Sequence, residues 1–150
     1  MMEIILEPNS LRLSSSGNIH GVLYFETSDK IFPDTDWNDF VVVLLGWWVE
    51  SAINLKQGLS KQERLRFMDG PYSILVKYID KNQLSLDFIE KDHTIDSSFI
   101  QLSSFINILS KACEKLLKII EANNWQTGDI SLLKSRYASL QRESLSKDAD

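Results

Sequence analysis

The chain is poor in the residues that usually announce chemistry. It has one cysteine, Cys113, in 150 residues. An internal disulfide is therefore impossible, and so is a zinc site built from several thiolates. It has two histidines, His20 and His93, and neither stands in a helical His-x-x-x-His pair, so no metal site is expected. Its six glycines match neither the phosphate-cradling loop of nucleotide-binding proteins nor a dinucleotide fingerprint. Ser15-Ser16-Gly17 lacks the strained serine turn of hydrolases. Long apolar runs are missing too. The longest, Phe40 to Val49, is about half of what spans a bilayer, and the acidic start Met1–Glu7 has no basic, apolar leader pattern. The expectation is a cytoplasmic protein with no membrane contact, no cofactor and no catalytic residue.

What is present suits a folded domain. Hydrophobic residues make up 43% and charged residues 25%, enough apolar material for a core at this length. The formal net charge of −5 is unevenly spread. Residues 1–58 hold eight acids and three bases, whereas residues 59–150 hold thirteen of each. A field of that sign repels nucleic acid and favours basic partners.

Periodicity gives the elements. Leu11 and Leu13 flank Arg12, and Ile19, Gly21, Leu23 and Phe25 alternate with His20, Val22, Tyr24 and Glu26 across the turn at Gly17-Asn18. This predicts a hairpin of 10–15 with 19–26, with a further short strand at 3–6. Asp34, Thr35 and Asp36 precede the Val41-Val42-Val43 run, and Asp39, Gly46, Glu50, Asn54 and Gln57 form one narrow polar stripe at helical spacing. Together they predict a largely buried helix over 37–57, capped by the acids and stopped by Gly58. Alternation then predicts strands near 65–67, 72–79, 84–88 and 94–102, with turns at Asp69-Gly70-Pro71 and Asp80–Gln83. Ile106, Leu109, Cys113, Leu116 and Ile120 mark a helix over 104–122. Ile130, Leu133, Tyr137 and Leu140 mark a last one from about 127. The fold class expected is α+β: a twisted antiparallel sheet of about five strands, a buried central helix and two C-terminal helices. Residues 1–145 read as a single domain, with 146–150 as a frayed polar tail.

Candidate functional residues lie in two stretches. Glu26 to Asp39 carries five acids, one lysine, Phe32 and Trp37, and Phe67 to Tyr72 surrounds a tight turn. Capping and solvation would account for the first stretch, and turn formation for the second. The functional reading is an acidic docking edge with aromatic anchors, with Asp34, Asp36, Trp37, Asp39, Asp69 and Tyr72 as partner-binding residues. Cys113, at a core position, reads as a small apolar residue. Trp47 and Trp48, about 100° apart on a helix, cannot form one stacked platform.

Ile31-Phe32-Pro33-Asp34-Thr35-Asp36-Trp37-Asn38-Asp39-Phe40, running into Leu45-Gly46-Trp47-Trp48, and Leu65 to Tyr72 resemble segments of small bacterial proteins, some of them similar to immunity proteins of polymorphic or contact-dependent toxin systems. The resemblance covers about 40 residues of the first half, and no set of functional residues comes with it. It implies a small bacterial cytoplasmic protein that binds and blocks a partner, and the charge argument above makes a basic protein the expected partner of a non-catalytic chain. Two other readings stand beside it. One is a self-associating adaptor, monomer or weak homodimer, packing through the last helix. The other is a hydrolase using surface carboxylates.

Overall fold

The computed structural model describes residues 1–68 and 70–145. Asp69 and the expected tail at 146–150 lie outside the described residues. The chain is α+β, with two antiparallel sheets where one was expected and two helices at its C-terminal end.

In the first sheet everything pairs with the long strand β3 (Ile19–Glu26): β1 (Glu3–Leu6), β2 (Arg12–Leu13), β4 (Ile31–Phe32) and β5 (Asn38–Asp39). The predicted alternation holds over most of β3: Ile19, Gly21, Leu23 and Phe25 are buried and His20, Val22 and Glu26 half-buried, but Tyr24, expected on the other face, is buried too. Gly21 is favoured by closeness rather than by backbone shape, since any larger residue would have to displace the end of the Leu11 side chain. A Cβ there would stand 2.5 Å from Leu11 Cδ2, where the chain folds over β3. The second sheet is a meander of β6 (Gln62–Arg66), β7 (Tyr72–Tyr78), β8 (Gln83–Glu90) and β9 (His93–Gln101).

The valine run is helical, as its polar stripe implied, but the helix α1 spans Val41–Lys56 and not 37–57. Its N-cap is Phe40, with no side-chain cap, and its first turn holds no acid. Asp34, Thr35 and Asp36 are thus not caps. The residues expected to open the helix instead form β5 and its approach. The polar stripe also has a different meaning. Gly46 is buried under Arg136, whose Nη2 lies 3.1 Å from Glu50, and Gln57 donates to Glu143. Gly46, Glu50 and Gln57 thus seat the last helix, α3 (Gly128–Leu145), whereas Asp39 lies before α1. Ile130, Leu133 and Leu140 of α3 are buried in the common core, so the apolar stripe proposed for self-association is spent within the chain. The helix between them, α2 (Leu102–Ala122), buries the predicted Ile106, Leu109, Cys113, Leu116 and Ile120.

The two sheets are joined through side chains. Phe25 of β3 lies 5.4 Å from Trp48 and 6.4 Å from Phe88 of β8, and Phe32 lies 5.1 Å from Phe88 (ring centroids). Trp48 donates from Nε1 to the Arg66 carbonyl, and Tyr78 donates to the Leu55 carbonyl. The two bonds tie α1 to the second sheet while satisfying polar groups that burial would otherwise penalise. Among the described residues, no helix is long and apolar enough to cross a membrane.

Candidate functional site

The segment between β4 and α1 is built around Asp39. This residue is 4% exposed, and its carboxylate accepts three hydrogen bonds: from Trp37 Nε1 at 2.9 Å, Phe40 N–H at 2.8 Å and Met68 N–H at 3.0 Å. One side chain thus fixes a neighbouring indole, the first residue of the helix boundary, and a loop 29 positions further on. Asp39 is a structural anchor and not part of an exposed docking edge. Its burial removes it from the surface expected of it.

Trp37 is held from several sides. Its carbonyl accepts from Leu23 N–H of β3. Its ring meets Tyr72 edge to face at 5.1 Å and Phe67 at 6.2 Å, and Tyr72 in turn meets Phe32 at 5.5 Å. Gly70 makes room for the indole: φ is +86° there, and a Cβ would stand 2.7 Å from Trp37 Cη2. Both the backbone shape and the closeness demand glycine. The two stretches singled out in the sequence, 26–39 and 67–72, therefore meet, although β6 and α1 separate them in the chain.

Asp34 and Asp36 are exposed on the same loop. Asp34 Oδ1 accepts from Asp36 N–H at 2.7 Å, which orders the turn. No lysine or arginine occurs from 31 to 40. The result is a half-buried aromatic pair, Trp37 and Tyr72, beside two exposed carboxylates. Because the indole N–H is committed to Asp39, the ring offers a partner only its apolar and π surface. That surface and those charges suit a guanidinium or ammonium group. Near by, His20 Nδ1 lies 3.1 Å from Asn38 Oδ1, a neighbourhood that strand alternation alone did not reveal. Sequence reasoning also missed the supports of the site, Met68 N–H and Phe67. The only trace of them was their place in the second singled-out stretch.

The other candidates lie apart. A cleft of about 680 Å3 runs along α2 and is lined by Leu102 and Ile106 and by polar side chains including Asn107, Lys111 and Glu114. Glu114 is paired there with Lys118 at 2.9 Å. Burial pushes the Cys113 thiol up to about 12, far from a nucleophile's range. Tyr24 is also raised, first by burial and then by Glu7. Among the described residues no three His, Cys, Asp or Glu side chains gather as metal ligands. His93 opens β9 opposite Glu90 and is exposed.

No protein-family model, no curated protein and no solved structure matches the chain.

Proposed function

We propose that this protein is a non-catalytic binding protein of immunity type. In this reading it blocks a basic bacterial toxin or effector in the cytoplasm by presenting Asp34, Asp36, Trp37 and Tyr72 to it. The observation that carries the reading is the construction around Asp39. A buried carboxylate with three donors holds Trp37 against Tyr72 at the surface, next to two exposed acids. Neither acid caps α1, and the turn that Asp34 Oδ1 closes does not require its charge, since asparagine supports the same turn. An anchor already ordered in the free protein loses little entropy on binding, and buried aromatics at the centre of an interface typically carry its affinity. Carboxylates at the rim speed encounter with a basic surface and make the rate salt-dependent. Many toxin domains that act on nucleic acid are basic, and an acidic face of this kind would occupy the same charge field as their substrate.

The test is co-expression with the product of the adjoining gene, with the affinity tag on this chain. The reading expects a one-to-one complex and relief of any growth arrest that product causes alone. A partner product that passes through unretained, with its toxicity undiminished, overturns the reading.

A further inference from the structure

The second sheet has two edges, and they differ. The β6 edge carries Glu63, Arg64 and Arg66 in five residues, charges of the kind that discourage strand addition. The β9 edge runs nine residues with Asp96 as its one carboxylate and no lysine, arginine or proline. It exposes Phe99 by 63% and Ile95 by 51%. Its ladder phase is set at one end, where Leu102 N–H donates to the Asn82 carbonyl at 2.9 Å. With the register Leu84–Ile100 and Leu86–Ser98, the backbone groups of Ser98 and Ile100 face β8. Those of Ser97 and Phe99 then point outward from the sheet. Among the described residues no strand pairs with that side.

The edge borders a groove. A space of about 460 Å3 lies between Asp96–Gln101 on one side and Met1, Met2 and Thr27–Asp29 on the other. It leads to a small, mainly apolar cleft of about 90 Å3 lined by Phe25, Ile31, Phe32, Phe88 and Ile95 together with Thr27, Lys30 and Asp96. Asp29 and Asp96 stand in the groove. A far wall and a bulge between Phe88 and Ile89 break the flat, open edge that sheet-to-sheet pairing of two copies needs. A single strand is not subject to that restriction. The geometry points to β9 as an acceptor for an extended segment of a partner protein, added as a fifth strand, with basic residues facing Asp29 and Asp96 and an apolar side chain in the cleft. Backbone hydrogen bonds to Ser97 and Phe99 supply the pairing, and the carboxylates and cleft supply selectivity. This site is separate from the Trp37–Tyr72 face and does not depend on the function proposed for it.

The probe is a capped synthetic heptapeptide of alternating lysine and isoleucine, compared with its glutamate–isoleucine counterpart, titrated into the 15N-labelled full chain. The inference expects saturable shifts and slowed exchange of the Ser97 and Phe99 amides with the lysine peptide and none with the glutamate peptide. Asp96→Lys, folded by its melting curve, should weaken the lysine peptide by about tenfold, one charge-assisted contact's worth. Shifts confined to the Trp37 indole, equal binding of both peptides, or unmoved edge amides overturn it. So does broadening of the same amides on concentrating the protein alone, which would give the edge to a second copy.

Discussion

Asp39 shows how a single side chain changes role between pattern and structure. Beside Asp34 and Asp36 it looks like one more member of an acidic run, yet it is the member whose charge is fully engaged. Asp39→Asn keeps the shape but turns an amide NH2 toward N–H donors, leaving at least one buried donor unmet. The expected loss is about 1–3 kcal/mol, read as a fall in melting temperature of about 2–4 °C per kcal/mol, with a change in Trp37 environment seen by its indole NMR signal. Asp34→Asn and Asp36→Asn should leave the melting temperature nearly unchanged, because Asn supports the same turn and Asp36 is exposed. Cys113 gives a second test. With its thiol pushed up to about 12, thiol reagents at pH 8 should label it only as fast as the protein opens. The shift is upward, so burial of the neutral thiol stabilises the fold fully below the ordinary value of 9.0 and is lost as pH rises toward 12. Wild type should therefore lose stability across that window more steeply than Cys113→Ala, as urea midpoints would show. Equal slopes would contradict the burial.

At the scale of elements, local periodicity was sufficient where a segment's neighbours did not alter its meaning. The hairpin into β3, the four strands of the meander and the core stripe of α2 follow from alternation or from 3–4 spacing, although β2 is only Arg12–Leu13 where 10–15 was expected and β6 is Gln62–Arg66 where 65–67 was expected. The start of α1 did not. Asp34, Thr35 and Asp36 carry the chemistry of helix caps, but Asn38 and Asp39 pair with Val22 and Gly21 of β3, and that non-local pairing holds the chain extended until Phe40. The polar stripe on α1 was legible as a stripe. That it meets Arg136 and Glu143 depended on where α3 docks, which no spacing within α1 encodes. The candidate site was half legible: composition marked both of its stretches, but their meeting through Met68 N–H and Gly70 is tertiary. The docking of α3 has its own consequence. Leu140→Ala should cost about 2–5 kcal/mol as a core truncation, and removal of residues 128–150 should unfold the chain, measured by circular dichroism. A truncated chain that melts like the full one would show α3 to be peripheral. Gly70→Ala, which drives a Cβ into the indole, should destabilise the chain and displace Trp37 more than Gly17→Ala, where φ is also positive but no atom lies within 4 Å.

For the whole molecule, three of the eight acids of the first 58 residues, Asp34, Asp36 and Asp39, lie on the segment that carries Trp37 of the aromatic cluster running from Phe25 to Tyr72. The cluster joins the two sheets at Phe25, Phe32 and Phe88 and reaches the surface at Trp37 and Tyr72. The same packing that makes the two sheets one core thereby positions the face proposed to bind. In the proposed reading stability and recognition are separable: Asp39 holds the fold through three hydrogen bonds, and Asp34 and Asp36 are left to face the partner. The most direct test is the association rate of Asp34→Asn/Asp36→Asn with the basic partner retained on co-expression, measured by stopped flow against ionic strength and beside the melting temperature. The account predicts a slower association with a flatter salt dependence and a melting temperature within a degree or so of wild type. An unchanged rate and salt slope would show that these carboxylates do not face the partner, and would contradict the account.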